Sequence, residues 1–398
     1  MTTTPVPHRV GLYLAVVQFF FTITWTVYVI YLPRLAAEAG IPKQAVIYIL
    51  LLDQLIFACM DLAMGVMADR VSRVVGRLGH IVLGVTLLSC LAFLLLPLAA
   101  PRGAAWLFLA LTVLWSASSS ALRAPPLMLL GKYAAKPALP WLSALSLFGL
   151  GAAGAVSPYL SVALRDADPR LPFALSSIAL ALATLGVVWA ERRLAADAAP
   201  GKASAVSAAK PVHPLFWFLF GTALLGLGFQ IHFAMNSAPL YLRFAKPADL
   251  QYLMPVFWIG FNLLMLPATL ATRRYGGLAV MGAGGVVGAL AAYLASGAGS
   301  LNFLIAMQFI AGGAWGCVLM SAVAAALIIG HTGREGQVTG ALFALLAVAA
   351  FARIAVLAAQ LNKDPQFAAL LAWMPIGLWA MAGALLLLLL PMQRRAAA

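Results

Sequence analysis

Four ionisable residues sit where the surrounding sequence is almost wholly apolar: Asp53 and Asp61 in one stretch, Arg123 in a second and Arg353 in a third. A charge in such surroundings is costly unless it finds an opposite charge, hydrogen-bonding partners or water. The chemistry open to these residues is ion pairing, proton uptake and release, or holding a charged solute. Polar side chains also recur at helical spacing. Gln18, Thr22 and Trp25 follow i, i+4, i+7, as do Ser116, Ser120 and Arg123, while His232 with Asn236 and Gln308 with Trp315 share faces. Such stripes either glue helices together or line a polar path. His232 by itself serves as a hydrogen-bonded packing residue or as a proton site.

Enzymatic signatures are missing. The five histidines, His8, His80, His213, His232 and His331, are scattered, and the chain has no H-E-x-x-H, no G-x-S-x-G and no Walker loop, which excludes ATP-driven chemistry within it. Gly149-Leu150-Gly151-Ala152-Ala153-Gly154 spells G-x-G-x-x-G but lies inside a long apolar segment with no preceding strand, where small residues let helices approach. Cys59, Cys90 and Cys317 fall in apolar stretches without metal or redox spacing and read as packing residues. No cofactor and no metal site is expected.

The elements that must position these residues are membrane helices. Of 398 residues 64% are hydrophobic and only 9% charged, against about a quarter charged in soluble domains. That excludes both a soluble globular chain and a disordered one. Apolar stretches bounded by Gly, Pro and charge predict helices near 10 to 33, 44 to 67, 78 to 98, 104 to 131, 139 to 164 and 171 to 193. A second six follow near 214 to 243, 248 to 271, 278 to 297, 301 to 330, 338 to 361 and 366 to 391. Between the sets, residues 195–213 carry Pro200, Gly201, Lys202, Ser204, Ser207, Lys210 and Pro211, a polar linker. The expectation is an all-α integral membrane protein with a six-helix bundle over 1–194 and another over 214–398. The run from Val10 to Leu32 is too long for a signal-peptide core and reads as the first crossing.

The net charge of +14 has a topological reading. With the N-terminus cytoplasmic, fifteen of the 25 basic residues fall on that side, eight on the other, and Arg123 and Arg353 within helices. By the positive-inside rule both termini face the cytoplasm, in an inner or plasma membrane, and nucleic-acid binding loses its support. Estimated helix centres place Asp61 and Arg123 at matching depth, about 9 Å toward the cytoplasm, and Asp53 and Arg353 about 3 to 5 Å toward the outside.

The loop after the second predicted helix reads Gly65-Val66-Met67-Ala68-Asp69-Arg70-Val71-Ser72-Arg73. In a six-plus-six protein this resembles the signature loop of the major facilitator superfamily, G-x-x-x-D-R-x-G-R-[RK], with Gly65, Asp69, Arg70 and Arg73 matching. Ser72 replaces the usual Gly and Val74 the second basic residue. The counterpart in the second half, Thr272 to Gly277, keeps basic and glycine residues without an acid, and Gly154 to Pro158 is similar to a glycine-proline motif of proton-coupled exporters, with Ser157 in place of Gly.

The resemblance implies two pseudo-symmetric bundles rocking about a central cavity walled by helices one, four, seven and ten, with helices two and five meeting eleven and eight. It places the polar stripes (Gln18, Thr22, Trp25; Ser116, Ser120, Arg123; His232, Asn236; Gln308, Trp315) on the cavity and makes Asp53, Asp61 and Arg353 gating or coupling residues. Asp69 would cap the eleventh helix near Gly336 and Gln337, as a cytoplasmic latch. Asp61 would pair with Arg123 within the first half, and Asp53 with Arg353 across the halves as an outer gate; should that pair not form, Arg353 becomes a substrate anchor with Gln360. Tyr28 and Tyr31 read as interfacial belt residues. The implied activity is secondary active transport of a small organic solute by alternating access, coupled to protons through Asp53, Asp61 or His232, by a monomer in the bilayer. Trp25, Trp115, Trp258 and Trp315 suggest an amphipathic or aromatic solute, and Arg123, if unpaired, an anionic one. A non-transporting receptor or assembly protein on the same scaffold, or a membrane-embedded enzyme, are the alternatives.

Overall fold

The computed structural model describes residues 7–71, 77–197, 213–330 and 333–390. Its twelve helices long and apolar enough to cross a membrane are α1 (His8–Glu38), α2 (Lys43–Val71), α3 (Arg77–Arg102), α4 (Ala105–Tyr133), α5 (Lys136–Ala163) and α6 (Arg170–Ala196). They continue as α7 (Leu215–Tyr241), α8 (Pro247–Tyr275), α9 (Gly277–Ser296), α10 (Leu301–Ile329), α11 (Glu335–Ala358) and α12 (Pro365–Leu388). Among the described residues there is no strand. The fold is all-α with two six-helix bundles, α1–α6 and α7–α12. Most of the predicted linker, residues 198–212, lies outside the described residues, and the sixth helical segment runs to Asp197, past the predicted boundary.

Within the first bundle α1 packs on α5 and α6, and α3 on α4 and α6. In the second, α10 packs on α8 and α9, and α12 on α7 and α9. Across the bundles α2 lies against α11 and α5 against α8. Two faces can be defined by chain direction: the near face, where α1 begins and α12 ends, and the far face.

In α4 and α7 irregular turns accompany prolines, each of which removes a backbone donor. In α4 regular helix stops at Ser119, passes through a 3-10 turn over Ser120–Leu122, and resumes at Ala124. Pro126 cannot donate to the carbonyl of Leu122, so that carbonyl is free to accept from Gln18 Nε2 at 2.9 Å. The sequence predicted an unbroken helix here. In α7, the first helix of the second bundle, a π-helical turn over His232–Asn236 precedes Pro239. Wide turns of this kind are common at functional positions.

Candidate functional site

The buried polar residues resolve into separate clusters. In the first, Asp53 of α2 is fully buried and accepts hydrogen bonds from Tyr28 Oη of α1 (2.8 Å) and Ser116 Oγ of α4 (2.6 Å). Trp115 covers it, 4.4 Å from the Tyr28 ring and 6.0 Å from that of Trp25, and Trp25 lies 5.4 Å from Phe57. Asp53 and Arg353 therefore do not form the expected outer gate. Matching depth fixed their height in the membrane but not their direction around the helix axis, and each turns into its own bundle. Tyr28 and Tyr31 are buried as well, not belt residues, because both fall on the face of α1 that looks into the bundle.

The second cluster is the pair predicted from depth. Arg123 Nη1 lies 2.9 Å from Asp61 Oδ2, with Asp61 wholly buried and the Arg123 side chain 17% exposed. This contact is ionic, for neither carboxylate oxygen of Asp61 accepts a hydrogen bond of good geometry among the described residues. Ser120 Oγ is likewise buried without such a partner. The Arg123 guanidinium also sits over two rings, Phe57 at 5.1 Å and, from the other bundle, Phe343 of α11 at 5.6 Å. With a counterion in place, Arg123 gives no ground for an anionic solute.

The third cluster joins the bundles at the near face. Asp69, at the end of α2, accepts from the backbone N–H of Gly336 (2.7 Å) and of Gln337 (2.8 Å), in the first turn of α11. Those amides lack intrahelical partners, and the helix dipole adds to their attraction for an anion. Three glycines allow this approach. A Cβ on Gly65 would collide with the carbonyl oxygen of Gly336, one on Gly336 with that of Gly65, and one on Gly340 with that of Asp61. Gly336 and Gly340 form a small-residue face whose G-x-x-x-G spacing is legible in the sequence, and Phe343 follows at i+7. Arg70 is exposed beside the latch, and Arg73 lies outside the described residues.

In the second bundle His232 is buried against Gln308, with Nε2 3.1 Å from Gln308 Oε1, and its ring lies 5.5 Å from that of Trp379. Ser237 Oγ donates to the His232 carbonyl at 3.0 Å and reaches Gln308 at 3.3 Å. His232 is thus tied into the interior of its own bundle. Asn236 donates to the Leu371 carbonyl of α12 at 3.0 Å, and Trp315 stacks on Phe229 at 4.4 Å with planes 4° apart. On α1, Thr22 bonds back to the Gln18 carbonyl at 2.8 Å. Arg353 Nε donates to Gln230 Oε1 of α7 at 3.0 Å. Gln360 is not its neighbour on a helical face: α11 ends at Ala358, and Gln360 is exposed with a positive φ of 58°.

The glycine-rich segment of α5 is a packing device. A Cβ at Gly149 would strike the Ala15 carbonyl of α1, one at Gly151 the Asn262 side chain, and one at Gly154 the Trp258 ring of α8. At the far face Tyr159 and Tyr252 continue the α5–α8 contact, with centroids 5.8 Å apart. Among the described residues no group of three or more His, Cys, Asp or Glu side chains is arranged to hold a metal ion.

Two bundles joined across α2–α11 by a carboxylate on a helix terminus agree with the family comparison, in which the model described as Major Facilitator Superfamily matches residues 14–354. The chain belongs to the Major Facilitator Superfamily. Solved structures of similar fold cover nearly all of it. The human organic anion transporter MFSD10 (TETRAN) superposes with a TM-score of 0.68 at 16% identity, over 96% of this chain and 99% of that one. A bacterial homologue of the iron transporter ferroportin, in an outward-facing state, gives 0.71 at 12% identity, over 95% and 98%. A comparison with curated protein sequences finds no match. Membership in the Major Facilitator Superfamily makes the protein an integral, multi-pass membrane transporter.

Proposed function

We propose that the protein is a secondary active transporter that moves a small organic solute by alternating access, driven by protons, with both termini and the near face cytoplasmic. The observation that carries this reading is the contact of Asp69 with Gly336 and Gln337. It links the bundles through two backbone hydrogen bonds and a glycine-lined approach, all of which can separate without leaving a buried charge stranded, because Asp69 would pass into water. A permanent assembly surface would gain more from apolar burial than from a polar cap of this kind.

Asp53 is the proton carrier in this scheme. It has no cationic partner among the described residues, and its two neighbours are hydroxyls, which can donate or accept. Both the ionised and the protonated carboxyl can therefore keep their hydrogen bonds. Asp61 is already matched by Arg123, and His232 by Gln308, so neither offers the same freedom.

The test uses proteoliposomes and a solute found by thermal-shift screening of the purified protein. An imposed pH gradient should drive accumulation by the wild type. Asp53→Asn should keep solute exchange while losing gradient-driven accumulation. Accumulation that follows sodium or membrane potential and ignores the pH gradient would overturn the proton assignment.

A further inference from the structure

Among the described residues Arg353 is a membrane-depth cation whose only hydrogen-bond partner is neutral. The side chain is half-buried, five residues before the far end of α11. An arginine that merely sought water from this depth would extend toward the headgroups. Instead Nε is held sideways by Gln230 Oε1 of α7 at 3.0 Å, which fixes the plane of the guanidinium inside the protein. The two terminal nitrogens carry four further N–H donors, for which the described residues supply no acceptor.

A fixed guanidinium edge with both terminal nitrogens free is the geometry that a planar oxyanion fills with two parallel hydrogen bonds. Resting on the transporter reading above, we infer that Arg353 binds the carboxylate of an organic anion, positioned by Gln230, and that this anion is the solute carried. The helix that holds its positioning partner also carries apolar rings that suit the rest of such a ligand. Phe229, next to Gln230 on α7, belongs to a half-buried aromatic wall with Phe233 and Trp258, whose rings lie 5.8 and 6.1 Å from its own. That wall suits an apolar or aromatic body. Asp53, which has no cationic partner among the described residues, lies fully buried beside Tyr28, whose ring packs on Trp115, so it has no room for an amine of the solute. The charge balance is consistent, since a carboxylate on Arg353 removes the cost of a lone cation each time the site is occupied.

The experiment measures thermal stabilisation of the full-length purified protein by matched pairs: benzoate and benzamide, indole-3-acetate and indole-3-acetamide, octanoate and octanamide. At least one carboxylate should stabilise the wild type while its amide does not. Arg353→Gln should weaken that carboxylate on the order of tenfold or more, the loss of charge-assisted hydrogen bonding. Arg353→Lys should fall between, because it keeps the charge and loses the fork. If no carboxylate is distinguished from its amide, or if Arg353→Gln leaves the preference intact, the assignment is wrong; the wild-type comparison decides even if the variant does not fold. Exchange in proteoliposomes separates the two readings. A carboxylate that binds through Arg353 without being exchanged would remove the transport reading and leave the site, whereas exchange of a neutral or cationic solute in preference would keep transport and remove the anion site.

Discussion

Replacing Asp69 by Asn isolates the contact that closes the near face. In the wild type each carboxylate oxygen takes one backbone N–H, from Gly336 at 2.7 Å and from Gln337 at 2.8 Å. An asparagine offers one acceptor oxygen, and its NH2 group would face a second donor. The closed arrangement therefore loses one hydrogen bond to a charged group, about 1.5 to 3 kcal/mol, and the interaction of a full negative charge with the first turn of α11, about 0.3 to 1 kcal/mol. When the near face is open the side chain is hydrated in either variant, so nearly all of this loss falls on the closed state. Taken together, about 2 to 4 kcal/mol shifts the equilibrium toward near-face opening by roughly 30- to 700-fold. Pulsed electron-spin distances can read the shift. With Cys59, Cys90 and Cys317 replaced by Ala, spin labels on Arg192→Cys of α6 and Arg274→Cys of α8, both exposed and on opposite bundles, report the near-face separation. Asp69→Asn should move the population to longer distances in lipid nanodiscs while membrane insertion stays normal. An unchanged distance distribution would refute the latch and leave the loop as a topological anchor.

Gly340→Leu should open the same face by a steric route, since even a Cβ there meets the Asp61 carbonyl; the same label pair should lengthen, and an unchanged distance would mean the glycine approach is not what closes the bundles. Asp61→Asn strands Arg123 at membrane depth and should lower folded yield, a cost of roughly 3 to 5 kcal/mol for breaking a buried pair. Asp61→Asn with Arg123→Gln should recover much of it in fluorescence-detected size-exclusion profiles. Failure to recover would show that the two are not energetically coupled.

Class, crossing number and signature loop were legible in the sequence, because membrane insertion imposes long apolar helices and a local motif announces itself in consecutive residues. Depth was legible too, through the rise per residue, and it found the Asp61–Arg123 pair. Direction around the helix axis was not. Asp53 and Arg353 stand at similar estimated depth and still turn to Tyr28 and Ser116 in one bundle and to Gln230 in the other. A helix nearly apolar all round gives no amphipathic stripe to say which side faces the interior, so only packing against neighbours assigns it. The bend in α4 shows the same division. An unbroken helix was expected across Pro125 and Pro126, and that Gln18, more than a hundred residues away, takes up the freed Leu122 carbonyl was decided by the fold. Sequence fixes what each residue can offer and how deep it lies, while partners are chosen in three dimensions, because a buried donor or acceptor must bond to whichever complementary group the packing brings within reach.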